Sequence, residues 1–254
     1  MLLRKPIFWI MAFILFIGGL FYSAKVFPKA FSILNIELKM DRDNAFSQAK
    51  ALSESNNWGP DNYDQAATFY HDSRTQNFVE LDAGGSEKVS ILMKDNLFHF
   101  YTWKVRHFKE KEPNETIITF TPSGKFYGFK EILSENEKGP SLSQNDARII
   151  AENFVQKKSS VVLSNYKEIE ASEEIMPSKR MDHTFVYERV NADIGDGSFR
   201  LKLMVSGEKV SELKHYIKIP ETFTRRFEEM RSANNTLATS ASMAMFLLYG
   251  FGGV

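Results

Sequence analysis

Residues 198–219 read SFRLKLMVSGEKVSELKHYIKI. Phe199, Leu201, Leu203 and Val205 alternate with Arg200, Lys202 and Met204, and a second run follows the turn Ser206-Gly207-Glu208. A period of two is that of a strand with one face in a core and one face wet. Two such runs joined at a glycine make an antiparallel hairpin. One dry face of a sheet needs a covering layer, so the class that follows is α+β.

Working back from this hairpin, further strands are expected at 166–171 and 183–190, with the loop Asp193-Ile194-Gly195-Asp196-Gly197 leading into the hairpin. Ahead of them, Ser143 followed three residues later by Asp146 resembles a capping box, and Ala147, Ile150, Ala151 and Phe154 mark one buried helix face. A polar link, SENEKGP at 134–140, separates this half from an earlier one.

The earlier half follows the same order. Asp41 caps a helix through about Asn56 with Ala45, Ala49 and Leu52 at helical spacing, and Trp58-Gly59-Pro60-Asp61 breaks it. Strands are expected at 98–108, 115–121 and 125–132, with Pro122-Ser123-Gly124 as the turn between the last two. Three weaker expectations complete this half: a strand at 36–40 from the alternation of Ile36, Leu38 and Met40, a helix at 63–70, and a strand at 78–81. The Ala147/Ala151 pair repeats the Ala45/Ala49 pair, and with the shared order of elements this points to an internal duplication.

Both ends of the chain are apolar. Residues 6–24, PIFWIMAFILFIGGLFYSA, carry no charge between Lys5 and Lys25 and are long enough to cross a hydrocarbon core of roughly 30 Å, which takes about 20 residues. A cleaved secretory signal is the competing reading, since Arg4 and Lys5 form a basic start; against it, bulky Tyr22 stands where cleavage after Ala24 requires a small residue. Residues 237–254, LATSASMAMFLLYGFGGV, read as the start of a second transmembrane helix cut short at Val254, with a core helix as the alternative. A charged amphipathic helix at 220–235, with Phe223, Phe227 and Met230 on one face, leads into it. The expected organisation is therefore a membrane anchor at 1–28, a first α+β module at 29–138, a second at 139–235, and the beginning of a second span at 236–254. The basic start favours a cytoplasmic N-terminus and an extracytoplasmic middle.

Composition narrows the function. Basic and acidic residues balance at 32 each, so no basic field exists to recruit nucleic acid. With no cysteine there is neither a disulfide framework nor a thiolate metal site. The 22 phenylalanines and 9 tyrosines belong to packed domains rather than a disordered tether.

The chemical-looking clusters read as structure. Asp182-His183, with Glu188 and Arg189 further along, could orient an imidazole as a general base, but neighbours on a strand face opposite ways and no serine or cysteine is placed for activation. Asp193 and Asp196 lack the spacing and closing glutamate of a calcium loop. The five histidines, His71, His99, His107, His183 and His215, stand singly. Tyr101 and Trp103 read as core, and Arg225, Arg226 and Arg231 as anchors at headgroup level. No catalytic, cofactor-binding or metal-ligating residue is assigned.

Three stretches carry a resemblance: Asp182-His183-Thr184-Phe185-Val186-Tyr187-Glu188-Arg189, the Thr121-Pro122-Ser123-Gly124 turn running into Tyr127-Gly128-Phe129, and Arg231-Ser232-Ala233-Asn234-Asn235. They look like the N-terminal region of large bacterial CPBP-type intramembrane metalloproteases, relatives of the CAAX-prenyl endopeptidases. The helix-then-strands halves also resemble PepSY-like modules. The resemblance implies metal-dependent peptide hydrolysis, with a divalent metal such as zinc, by spans that would follow Val254. Glu228-Glu229 is followed by Arg231 and lies before the apolar run, so it does not fit that family's Glu-Glu-xxx-Arg helix, and no catalytic residue carries over. The implied function is a non-catalytic region that regulates such a protease or presents a peptide or protein substrate to it, at the bacterial inner membrane. The alternatives are a free-standing membrane-tethered binding or sensor module, and a hydrolase using Asp182, His183 and Glu188.

Overall fold

The computed structural model describes residues 6–30 and 36–252. The chain is α+β, and eight strands among the described residues form one antiparallel sheet in the order β1-β2-β3-β4-β8-β7-β6-β5. The first half supplies β1 (Asp64–His71), β2 (Tyr101–Phe108), β3 (Glu115–Phe120) and β4 (Phe126–Ile132). The second supplies β5 (Tyr166–Ile175), β6 (Met181–Arg189), β7 (Ser198–Ser206) and β8 (Lys209–Lys218). Each half runs strand to neighbouring strand, and within the sheet the two join where β4 lies against β8.

Register shows how regular this is. Ala67 pairs Val105, Val105 pairs Ile118, and Ile118 pairs Phe129. Phe129 pairs Leu213 across the junction, and the row continues through Leu203, Phe185 and Ala171. Small outer and large inner side chains thus mirror one another about the β4/β8 line. The middle six members are buried, and all eight belong to one core.

The covering layer is helical. Helix α2 (Arg42–Asn56) begins where the Asp41 side chain accepts from the Asn44 N–H at 2.8 Å, and ends at Asn57 in the left-handed region. It buries Ala45, Ala49 and Ser53. Helix α5 (Gln144–Lys158) starts at Ser143, whose hydroxyl accepts from the Asp146 N–H and donates to the Asp146 carboxylate at 2.6 Å. It buries Ala147, Ala151 and Val155, the small faces that let a helix lie close on a sheet. Trp58 stacks on Phe129 with ring centroids 3.9 Å apart, and Phe154 from α5 lies 5.4 Å from Phe129, so the two halves share their aromatic centre.

Further along the same face of the sheet, α3 (Ser73–Asp82) and α4 (Gly85–Lys94) form a second cluster with Tyr101, Phe199 and Ile217. Phe223 at the base of α6 (Glu221–Phe251) closes it, 5.2 Å from Phe78.

Several expectations are corrected here. Residues 64–70, within the helix expected at 63–70, belong to strand β1 instead: Ala66 and Ala67 favour a helix locally, but pairing with β2 along the whole strand decides. Residues 78–81 lie in α3, where Thr75, Phe78 and Val79 recur at helical spacing behind the Asp72 cap. The expected strand at 36–40 has no strand neighbour among the described residues, and the expected alternation does not hold, since Met40 is buried while Leu38 is exposed; the Lys39 and Met40 N–H groups both reach the Pro122 carbonyl at 3.1 Å. Helix α4 was not anticipated.

At the ends, Pro6–Phe27 within α1 (Pro6–Ala30) is long and apolar enough to cross a membrane, with most of its large side chains exposed. Helix α6 continues without a break from the folded part through the expected second apolar run, which also extends to residues 253–254 outside those described. Its distal side chains, from Leu237 to Phe251, are exposed, but only the first helix meets the length and hydropathy of a span among the described residues.

Candidate functional site at the seam of the sheet

The β4/β8 ladder holds two pairs, Phe129 with Leu213 and Lys130 with Glu212. Beyond them the strands part. The cause lies in β4: Thr119 pairs Gly128 while Phe120 pairs Phe126, so Tyr127 is one extra residue in a β-bulge. A bulge re-aims a side chain, and Tyr127 turns into the gap to stack on His215, centroids 4.5 Å apart and planes 15° from parallel. Gly128 is needed beside it, because a Cβ there would overlap the Leu213 carbonyl oxygen.

His99, just before β2, completes the group. Its ring stands at 90° to Tyr127 with centroids 5.1 Å apart, and its backbone N–H donates to the Tyr127 hydroxyl at 3.4 Å. Burial lowers the pKa of His99 to about 4, helped by the Lys125 charge, and lowers that of His215 to about 4, helped by His99. Burial raises that of Tyr127. At neutral pH the cluster is therefore two neutral imidazoles and a phenol, able to exchange hydrogen bonds without carrying charge.

These three side chains line two cavities. One, of about 390 Å³, also takes in Asn165, Tyr166 and Arg189. The other, of about 340 Å³, is lined by Thr102, Lys104, Thr119 and Lys214. Those four alternate along their strands with core residues, so they face away from the helices. The seam is thus lined from both sides of the sheet around one aromatic group.

The residues weighed from sequence go elsewhere. Asp182 and His183 point apart: the Asp182 carboxylate takes two bonds from Arg180, at 2.8 and 3.1 Å with both side chains buried, while His183 Nε2 donates to the Leu142 carbonyl at 3.0 Å. Arg180 also donates to the Ser134 and Glu137 carbonyls, so this pair fastens the link between the halves to β6. Glu188 accepts from Arg200 at 3.1 Å. Asp193 lies 3.6 Å from Lys88. His71 bonds Gln76, and His107 sits between Ser53 and Gln65 under Tyr63. Trp103 donates to the Met40 carbonyl, and Arg226 pairs with Asp82, which ties the root of α6 to α3. Among the described residues no three or more His, Asp or Glu side chains are grouped to hold a metal ion.

His99 and His215, expected to stand singly, are brought together here around Tyr127, a residue that sequence reasoning did not weigh as part of a site. They stand far apart in the chain, and what joins them is the pairing of β4 with β8, a contact between halves that no local pattern announces. No known protein family, curated protein or solved structure matches the chain.

Proposed function

We propose that this chain is a non-catalytic binding module held at a membrane, with the seam cavities as its ligand site. The observation that carries the reading is α1, whose residues Pro6–Phe27 expose Trp9, Phe13, Phe16, Leu20 and Phe21 on every side. A helix apolar all round needs an apolar surrounding, and a bilayer supplies one. The distal part of α6 is proposed as the second span, its apolar surface reaching the same bilayer from a rigid helix rooted at Phe223. The soluble part is placed outside the cytoplasm of a bacterial cell, at the inner membrane.

Fractionation tests the anchor. The full chain is expected in the membrane pellet after an alkaline wash, and the chain lacking residues 1–28 should shift toward the supernatant. A full chain that stays soluble without detergent sinks the reading. Digestion of intact spheroplasts with added protease tests the side: cleavage within 36–235 is expected, and protection places the domain in the cytoplasm.

One feature favours a narrower version. Because α6 is continuous from the sheet into its apolar stretch, a ligand that shifts the seam acts on the membrane through a stiff lever rather than a loose tether. On that basis the module is proposed as the regulatory or substrate-presenting region of a CPBP-type intramembrane metallopeptidase, whose metal, zinc by the resemblance, would sit in other spans. Among the described residues the outer edges of β1 and β5 have no strand neighbour, and they offer backbone groups to an extended peptide. A photo-crosslinking peptide should label β1 or β5; labelling confined to α1 and α6 counts against presentation.

A further inference from the structure

The wet face of the sheet at the seam has an uneven charge. The row next to the core row reads Thr68, Lys104, Thr119 and Gly128 across the first half by register. Lys214 follows Gly128 across the seam, its Cα lying about 4.0 Å from where a Gly128 Cβ would stand, and Lys202 pairs Lys214. Two small residues thus lie between lysines in the middle of the sheet. The result is a trough with Thr119 and Gly128 as its floor.

The carboxylates around this trough are already committed. Glu212 is buried and pairs with Lys202 at 2.9 Å. Asp72 caps α3, accepting from the Thr75 hydroxyl at 2.8 Å and the Thr75 N–H at 3.2 Å. Lys104, Lys130 and Lys214 line the same cavity, and no carboxylate lies in ion-pair contact with any of them among the described residues. Lys104 instead lies over the Tyr70 ring, 3.3 Å from its centroid, and Lys214 lies 5.8 Å from that of Tyr216. A tyrosine face attracts a cation by its quadrupole but does not cancel its charge.

We propose that this trough binds an oxyanion, the carboxylate or phosphate group of a small ligand, between Lys104 and Lys214. The inference rests on the reading of the chain as a binding module and names its ligand class. Half-burial chiefly works against the ammonium of Lys104; the Asp72 carboxylate at the cavity wall opposes that effect and the Lys214 charge adds to it, so an anion between the two lysines would relieve their mutual repulsion. Thr102 and Thr119 line the same cavity and add hydroxyl donors.

The test uses the full chain in a neutral detergent, with inorganic phosphate and acetate as probes against chloride at equal ionic strength. Thermal unfolding should shift upward by several degrees with phosphate or acetate and not with chloride. The shift should vanish in Lys104→Gln and Lys214→Gln while Lys167→Gln, on edge strand β5, keeps it. Circular dichroism establishes that each variant is folded; should Lys104→Gln fail to fold, amide shifts of Thr119 and Gly128 on titrating phosphate into the native chain serve instead. Phosphate acting alone assigns the trough to phosphate esters, and acetate alone to carboxylates. Equal shifts with all three anions, a shift that survives both lysine variants, or an unmoved Thr119 and Gly128 overturn the proposal. Membrane fractionation is independent of these readings, so failure here leaves the anchor untouched.

Discussion

Burial at single residues gives the chain an acid sensitivity of definite sign. His99, His107 and His215 all fall from an ordinary 6.5 to about 4, each chiefly because burial disfavours the charged ring. A histidine that holds its proton less tightly when folded favours the fold above the unfolded value, and that contribution is lost as pH falls from about 6.5 toward about 4. Glu131 works the other way, since its raised pKa lets it take up a proton in the fold near the acid end. Three rings outweigh one carboxyl, so the melting temperature should fall steadily between pH 6.5 and pH 4.5. His107→Gln keeps a polar group beside Ser53 and Gln65 and removes one titrating site, so its melting temperature should fall less steeply over the same range. A flat profile in the native chain would rule out neutral buried histidines. The sequence listed these rings but not their surroundings: burial comes from the chain around them, and the spacing of His99 and His215 in the sequence carries no trace of it.

At the scale of elements, what was legible is what is local. The alternation of 198–206, the Ser143 cap and the Pro122-Ser123-Gly124 turn each depend on neighbours in the chain, and each reappears in the fold. Residues 63–70 and 78–81 exchanged types because their propensities were weak and tertiary pairing decided. The small faces of α2 and α5 were readable for the same reason as the strands, and they give a test of packing. Ala147 is fully buried on the face of α5 that joins the core, and cores are close-packed. Ala147→Leu should therefore cost about 1–3 kcal/mol by overpacking, read from denaturant unfolding. Ile149, two residues on and 52% exposed, should change stability by no more than about 0.5 kcal/mol when replaced by alanine. Equal effects at both sites would mean that α5 does not sit on the sheet by its alanine face.

For the whole molecule the decisive relation is between the halves. By backbone bonding the junction is thin, because the β4/β8 ladder holds only two residue pairs, and a net contribution of about 1 kcal/mol per bond does not bind two modules firmly. By side chains it is thick. Trp58 and Phe129 from the first half and Phe154 and Leu213 from the second pack into one cluster, and burying a large apolar side chain is worth about 1.5–3 kcal/mol each. Arg180 adds a buried, charge-assisted hold on the link at 134–140. The apolar terms exceed the ladder, so the expected behaviour of 36–235 is one cooperative unfolding transition, in which tryptophan fluorescence and far-ultraviolet circular dichroism coincide. Residues 36–138 alone would leave Phe129 and Trp58 without Phe154 and Leu213, and should show no cooperative transition of their own. If instead that fragment unfolds sharply and the whole shows two separable transitions, the halves are independent modules and the seam is a joint between them. Ligand held at the seam would then change the angle between two bodies rather than tighten one, and the lever through α6 would have to start from the second half alone.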